Sequence, residues 1–227
     1  DSHNVHSGVS YYGLPIRDSL ATFVHPNELL DGAMTVTATR AVGQFPITWD
    51  WQNHPLALGL CRQHGKQINF LGVILERIQF DTFLGKEVAA HSASQLAATL
   101  GATGALVAWI GSGNAFVELM LTIRACEQRG IKTVLITYEF GGKDGADSPL
   151  LYYLPQADAV VSSGSRDRWL ELPAPERVVG PYEEFSILTY PGAPVVPAMG
   201  EITLDARDML IGGVDNWGRQ SWRCNAY

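Results

Sequence analysis

The chain contains little cysteine and no long apolar run, and both features narrow what it can be. Its three cysteines, Cys61, Cys126 and Cys224, lie far apart and form no CxxC pair, so the sequence carries neither a zinc-knuckle nor a thioredoxin-type motif. We expect Cys61 and Cys126, which lie in apolar stretches with helical character, to be buried thiols. This cysteine usage fits a reducing, cytoplasmic compartment. No apolar run reaches the roughly 18 residues that a membrane span requires, so we expect no membrane segment.

Positive charge is also sparse. The chain carries 16 Lys and Arg against 23 Asp and Glu, for a net charge of −7, and it has no Lys/Arg-rich run. Because binding to nucleic-acid phosphates needs clustered cations, we expect no nucleic-acid partner. A hydrophobic content of 46% with 17% charged residues over 227 residues predicts a folded chain of one or two domains.

Several common catalytic and cofactor motifs are missing as well. The segment Gly111-Ser112-Gly113 does not continue into the dinucleotide fingerprint GxGxxG, and its spacing differs from the GxSxG elbow of serine hydrolases. No HExxH or His/Cys spacing marks a metal site, so none is predicted. A metal site assembled from separated residues, such as His54, His64 and Glu139, stays open as an alternative.

Apolar strands alternate with helices in the middle of the chain. The pattern predicts helices over Leu56–His64, Ser92–Leu100, Ala115–Arg129 and Ser148–Leu154, and strands over Ile68–Leu75, Ala105–Ile110, Ile131–Thr137 and Ala157–Ser162. Continuous apolar strands separated by helices predict an α/β fold, a Rossmann-like three-layer arrangement with a parallel sheet and helices on both faces. We therefore predict an irregular N-terminal segment (1–54), an α/β core domain (55–165) and an extended C-terminal tail (166–227) that packs on the core or on a partner.

Two loops that follow adjacent predicted strands are the candidate site, because ligands bind at the carboxyl ends of parallel strands. Gly111–Asn114 leads into a helix, whose free amides favour an anion or a carbonyl oxygen. Glu139–Asp144 brings two acids and Lys143 together after a buried strand, where partial burial suits Glu139 to general acid–base work. The alternatives are plain: a tight turn with Asn114 as helix cap, and a solvated loop with a local ion pair.

Histidines are the next candidates. His54 precedes Pro55 at the entrance of the core domain, and His64 falls at a predicted helix C-terminus, where the helix dipole favours a protonated imidazole.

Several blocks of the sequence resemble the component B proprotein family of glycine, sarcosine and betaine reductases. In chain order they are HPNELLDGA (25–33), HGK with NFLGVI (64–74), GIKT (130–133), Glu139 with GKDG (142–145), and ADAVV (157–161). The resemblance covers roughly residues 11–165 and corresponds to the later half of the usual proprotein. Because the chain begins at Asp1 rather than Met, we expect that it was separated from an upstream segment.

The resemblance implies an oxidoreductase of amino-acid metabolism that works in a heteromeric complex. In this family a proprotein cleaves itself before a Cys, which becomes a pyruvoyl group. That carbonyl captures the substrate amine as a Schiff base, and D-proline reductase uses a similar arrangement. A partner subunit with a reactive Cys or selenocysteine then takes up the carbon and breaks the C–N bond. For this chain, that implies a hetero-oligomer acting on a small nitrogenous compound.

The chain departs from the family at the cleaved position. Counting forward from Asp31-Gly32-Ala33, the position of the Cys is occupied by Thr39. Elimination at a threonine would give a 2-oxobutanoyl group rather than pyruvoyl. We therefore expect no cleavage there and no carbonyl cofactor.

An enzyme subunit would use residues of the two loops and of the N-terminal segment. For an enzyme subunit of this kind we expect catalytic residues Glu139, Asp144 and His54, and substrate-binding residues Gly113, Asn114, Lys143 and Asp31. Two alternatives remain: a non-catalytic scaffold subunit that completes a partner's pocket, and a metal-dependent hydrolase or lyase on a degenerate form of the fold.

Overall fold

A computed structural model describes most of the chain. The described residues are 9–16, 19–36, 48–78, 80–109, 113–142, 144, 146–165, 167, 169–186, 195–205, 210–211, 214–215 and 223–225. None of the helices in these ranges has the length and apolar character needed to cross a bilayer.

The N-terminal third is built from short elements. In chain order they are β1 (Val9–Tyr11), β2 (Leu14–Pro15), β3 (Thr22–Val24), α1 (Pro26–Leu30), β4 (Met34–Val36), α2 (Thr48–Gln52), α3 (Pro55–Gln63) and β5 (Val73–Leu75). Strands β2, β1 and β4 form an antiparallel sheet in that order, and β3 pairs antiparallel with β5. The predicted helix over Leu56–His64 is confirmed in α3, where Pro55 takes the first turn and lacks the N–H that would have no partner there.

The main sheet has a parallel part that lies in the middle of the chain. This part is formed by β6 (Gly104–Ala108), β7 (Lys132–Glu139) and β8 (Val160–Ser165), with α4 (Phe83–Thr99) before it and α5 (Ala115–Glu127) between β6 and β7. The register pairs Leu106 with Val134 and Ile136 with Val161. Helix α5 packs against β6 and β7, and α4 packs against α5. The predicted α/β class with a parallel sheet is confirmed.

The tail consists of short strands, and one of them returns to the main sheet. Its elements are β9 (Trp169–Leu172), β10 (Glu184–Ser186), β11 (Val195–Pro197), β12 (Ile202–Asp205), β13 (Leu210–Ile211), β14 (Val214–Asp215) and β15 (Arg223–Asn225). Strand β15 pairs antiparallel with β8, with Cys224 opposite Val161, so the strand order of the main sheet is β15-β8-β7-β6.

Three predicted elements differ from the structure. Helix α4 begins at Phe83 rather than at Ser92, because Thr82 supplies the cap by accepting a bond from Gly85 N at 3.1 Å. Strand β5 is much shorter than the predicted strand over 68–75, and it pairs with β3 instead of joining the parallel sheet. The segment 148–154 is not helical, since Phe140 N donates to Pro149 O at 2.9 Å and holds this segment beside the end of β7.

Among the described residues, two small buried hydrophobic clusters lie between α4 and α5, and two larger clusters form the cores. The first core lies between α5 and the parallel sheet and includes Phe116, Leu135 and Tyr138. The second core lies among the N-terminal elements and includes Leu29 and Met34. Each of these side chains is almost completely removed from water, which is the main source of stability in a chain of this size.

Candidate functional site

Four aromatic rings lie where β6 and β7 end. Trp109 follows β6 directly, Phe116 lies in the first turn of α5, and Tyr138 and Phe140 lie at and just after the end of β7. Ring centroids are 5.2 Å apart for Trp109 and Tyr138, 5.4 Å for Trp109 and Phe116, 4.9 Å for Tyr138 and Phe140, and 6.0 Å for Phe116 and Phe140. The contact between Phe116 and Phe140 joins the chain around Asn114 to the chain around Glu139. The described parts of the two predicted loops, Gly113 with Asn114 and Glu139 with Phe140, therefore lie near each other.

The aromatic cluster is fixed by a buried hydrogen bond. Trp109 Nε1 donates to Thr137 Oγ1 at 2.8 Å, and Thr137 is 0% exposed. A buried indole N–H needs such a partner, and the bond sets the orientation of the ring. The sequence does place aromatic residues at the ends of two adjacent strands, which could have indicated the cluster. Periodicity alone does not distinguish aromatic residues from other apolar residues, so the cluster was not predicted.

Glu139 is the last residue of β7 and is partly buried. A register irregularity between Thr137 and Glu139 places Glu139 opposite Ser165 of β8. Such bulges change the direction of a side chain at the end of a strand. The carboxylate thus stands at the carboxyl edge of the parallel sheet, as predicted, while its catalytic role stays a prediction.

The loop after Glu139 folds back on itself. Gly142 has φ +73°, and a Cβ at this position would lie 2.6 Å from Asp147 Oδ2. Gly142 N donates to Phe140 O, and Asp147 N donates to Gly141 O at 3.0 Å. Ser165 Oγ donates to Gly142 O at 3.3 Å and connects the loop to the end of β8. Only glycine fits this turn without displacing its neighbours.

Asp144 lies on the outer side of this loop. It is exposed, and its Oδ1 accepts a bond from Ala146 N at 3.1 Å, which closes a short turn. Lys143, which is expected to hold a substrate carboxylate, lies outside the described residues.

The first loop ends at Gly113 and Asn114. Gly113 has φ +62°, and a Cβ there would meet no atom within 4 Å. Asn114 occupies the cap position of α5, but its side chain makes no capping hydrogen bond and is exposed. Asn114 and the start of α5 thus lie at the same edge of the sheet as Glu139. Gly111 and Ser112 lie outside the described residues.

His54 and Asp31 border the second core instead of the aromatic cluster. His54 lies at the cap position of α3, with its ring stacked on Trp51 at a centroid distance of 6.0 Å. Burial lowers the pKa of His54 to about 4, so the imidazole is neutral at pH 7. Within the described ranges, His54 Nδ1 and Trp51 Nε1 are buried without a hydrogen-bond partner. Asp31 is exposed at the end of α1.

His64 closes a turn, which gives it a structural role. Its Nδ1 accepts a bond from Phe70 N at 3.0 Å, and Gly65 N donates to Ile68 O at 2.9 Å. Across the part of the chain that the structure describes, no group of three His, Cys, Asp or Glu side chains is arranged to hold a metal ion.

The block HPNELLDGA forms a capped helix start. His25 Nδ1 accepts from Asn27 N at 3.2 Å, while Glu28 Oε2 accepts from His25 N at 2.9 Å, which makes a capping box around α1. The hydroxyls of Tyr11 and Tyr12 both donate to Glu28 Oε1 at 3.1 Å. The backbone bond from His25, followed by the two tyrosine hydroxyls, lowers the pKa of Glu28. These contacts give His25 and Glu28 of the HPNELLDGA block a structural role at the start of α1.

A buried ion pair between the helices was not predicted. Lys86 Nζ of α4 lies 2.6 Å from Glu118 Oε1 of α5, and the two side chains are 5% and 0% exposed. Phe80 N also donates to Glu118 Oε1, at 2.8 Å. Nearby, burial raises the pKa of Glu76 to about 7. The sequence gives no signal for this group because Glu118 lies 32 residues after Lys86 in the chain.

Comparison with known proteins gives a consistent result. A family model described as glycine/sarcosine/betaine reductase component B subunits matches residues 2–221. The betaine reductase complex component B subunit alpha of Peptoclostridium acidaminophilum is 36% identical over 202 residues, covering 89% of this chain and 41% of that protein. The sarcosine reductase complex component B subunit alpha of the same organism is 36% identical over 185 residues, covering 80% and 43%. Its glycine reductase complex component B subunits alpha and beta are 33% identical over 171 residues, covering 74% and 39%.

The chain thus spans about two fifths of the length of the curated relatives it matches. No solved structure matches it.

Proposed function

The chain belongs to the glycine/sarcosine/betaine reductase component B family, and from that membership we propose that it is one subunit of a complex that breaks a C–N bond in a small nitrogenous compound. The observation that carries the proposal is the family match over residues 2–221. Because the chain spans about two fifths of its curated relatives, we assign the activity to the complex rather than to this chain alone.

A partner subunit would supply the reactive thiol or selenol. Reductive C–N cleavage needs two electrons and a nucleophile, and a thiol is a nucleophile only when it ionises readily. Burial raises the pKa of Cys126 to about 11, and Cys61 is partly buried. Cys126 therefore lacks the thiolate character that this role needs. A partner with a reactive Cys or selenocysteine, kept reduced in a cytoplasmic compartment, is therefore part of the proposal.

The substrate would lie between the two loops. The positive end of the α5 dipole, with Gly113 and Asn114, suits a carboxylate or carbonyl oxygen. Glu139 and Asp144 on the neighbouring loop suit an amine or a proton transfer. The contact between Phe116 and Phe140 supports this arrangement because it brings an anion-binding and a cation-binding segment together. An amino acid has both charges.

Lys143, His54 and Asp31 complete the proposed site. Lys143 would hold a substrate carboxylate, although it lies outside the described residues. His54 and Asp31 border the second core, so we propose that they act at its edge and not between the two loops. A neutral imidazole at pH 7 can accept or donate one hydrogen bond without carrying charge.

We propose that the chain carries no carbonyl cofactor. The family group would arise at the position of Thr39, which lies outside the described residues, so the proposal rests on the threonine in the sequence. Intact mass spectrometry of the purified chain tests it. A single species of full mass is expected, whereas two fragments, one of them blocked by a keto acid, would contradict it.

Amine release by the assembled complex tests the enzyme function. The chain, its partner subunit and a dithiol are incubated with glycine, sarcosine or betaine, and ammonia, methylamine or trimethylamine is measured. Glu139→Gln and Asp144→Asn should each lower the rate by about 100-fold or more, since both remove a proton-transfer group. Asp158→Asn, at another exposed carboxylate, is the control and should keep the wild-type rate.

Native mass spectrometry follows assembly in the same samples. If Glu139→Gln and Asp144→Asn both assemble and both keep full activity, this chain is not catalytic. The exposure of Asn114 and Asp144 favours, in that case, a scaffold subunit whose loops complete the pocket of the partner.

A further inference from the structure

Thr122 of α5 lies among more acceptors than its hydroxyl can serve. Its Oγ1 is 2.9 Å from Glu76 Oε1, 3.0 Å from Glu76 Oε2 and 2.9 Å from the backbone oxygen of Glu118. Thr122 is 7% exposed. A hydroxyl has one proton to donate and two lone pairs that accept, so it can donate to one of these oxygens at a time.

A proton on Glu76 resolves this arrangement. A neutral Glu76 donates from its carboxyl to Thr122 Oγ1, and Thr122 in turn donates to the backbone oxygen of Glu118. When Glu76 loses that proton, the Thr122 hydroxyl must turn to the charged carboxylate and leave the Glu118 oxygen. The direction of the hydrogen bond between Glu76 and Thr122 thus depends on whether Glu76 holds a proton.

The charges around Glu76 favour the neutral form. From α5, it faces the carboxylate of Glu118 and the thiol of Cys126. From α4, Lys86 is engaged with Glu118 at 2.6 Å. Arg77, the next residue in the chain, lies with its guanidinium 4.2 Å from the centre of the Phe80 ring.

Three effects act on the pKa of Glu76. Burial is the largest and raises it, the bond from Thr122 to the charged form lowers it, and the negative charge of Glu118 raises it further, which brings the value from 4.5 to about 7. The raised pKa of Glu76 agrees with the inference that Glu76, and not only Thr122, supplies a proton to their contact.

We propose that Glu76 is a proton-binding site that latches the connection between β5 and α4 onto α5, and that the latch weakens when the proton leaves. Phe80 N, farther along the same connection, donates to Glu118 Oε1 at 2.8 Å, so the latch holds the connection at two points of α5. Helix α5 begins at the loop of Gly113 and Asn114. A proton on Glu76 thereby stabilises the helix that carries the proposed substrate loop.

The sign of the pH dependence follows from the higher pKa in the folded chain. Below pH 4.5, Glu76 is protonated in both the folded and the unfolded chain, and its contribution is fully present. Between about 4.5 and 7 only the folded chain holds the proton, so stability falls as pH rises through this window. The difference between a pKa of 4.5 in the unfolded chain and one of about 7 in the folded chain corresponds to at most about 300-fold in the folding equilibrium constant.

Carbon-13 NMR of the Glu76 side-chain carboxyl tests the proposal directly on the unaltered chain. The titration midpoint is expected near pH 7, and a midpoint below pH 6 would overturn the proposal. Because this measurement does not involve turnover, it is independent of the amine-release assay and of the proposed enzyme function.

Stability measured from pH 5 to pH 8 supplies the second test. Glu76→Gln is neutral at every pH, and its amide can donate to Thr122. Wild type and this variant should be similarly stable at pH 5, and wild type should be the less stable at pH 8. Glu87→Gln is the control because Glu87 pairs with Arg124 at 3.0 Å near the surface. The proposal fails if the ratio of the folding equilibrium constants of wild type and Glu76→Gln does not change with pH.

Discussion

Replacing Lys86 by Met should destabilise the chain strongly, because Glu118 would lose its counter-charge in the interior. Lys86 Nζ lies 2.6 Å from Glu118 Oε1, and Glu118 is 0% exposed. Methionine keeps most of the side-chain volume but not the charge, so the change isolates the electrostatic effect. Removing one partner of a buried ion pair costs about 3–5 kcal/mol. For a chain of this length, that corresponds to a fall in melting temperature of roughly 6–20 °C.

Urea denaturation at pH 7, followed by circular dichroism, measures this loss. The exposed pair of Lys132 and Glu127 provides the control, since its distance is 3.2 Å and the Lys132 side chain is 83% exposed. Lys132→Met should cost less than about 1 kcal/mol because an exposed pair gains little from its attraction.

A second change separates lost charge from lost packing. In the double variant Lys86→Met/Glu118→Gln the buried negative charge is gone, and the amide oxygen of the new glutamine can still accept the bond from Phe80 N. The double variant should therefore be more stable than Lys86→Met by about 2 kcal/mol or more. The reasoning is refuted if Lys86→Met costs no more than Lys132→Met, or if the second change gives no recovery.

Two further predictions concern the candidate loop and His54. Gly142→Ala should lower the free energy of unfolding by about 1–3 kcal/mol in the same urea assay, because φ is +73° and a Cβ would lie 2.6 Å from Asp147 Oδ2; a variant as stable as wild type would show that the loop relaxes freely. The ring protons of His54 should titrate by NMR with a midpoint near pH 4, and because this pKa lies below its usual 6.5, the contribution of His54 to stability should fall as pH drops from about 6.5 to 4; a midpoint above 6 would contradict its burial.

Parts of the fold could be predicted because their signals are local. Strand β7 is an apolar, β-branched run that ends where charged and glycine residues begin, and α5 starts after Asn114 and ends before Gly130, whose φ is +76°. Each signal depends on residues within a few positions of one another, so the sequence alone is sufficient. The adjacency of the two candidate loops also followed from the rule that parallel strands end at the same edge.

Other features were set by contacts between distant segments. The apolar run before Glu76 predicts a buried strand of the parallel sheet, but β5 pairs with β3. The periodicity of a strand shows which face is buried and does not identify the strand with which it pairs. Strand β15, close to the end of the chain, adds to the main sheet in the same unpredictable way.

The sequence by itself determined the family, the α/β class and the two loops, since these depend on local patterns and on ordered blocks of matching residues. Only the tertiary structure decided which groups meet: Phe116 with Phe140, Lys86 with Glu118, and Glu76 with Thr122. The physical reason is burial. The proton affinity of Glu76 changes because remote segments enclose it, and no local pattern of residues records that enclosure.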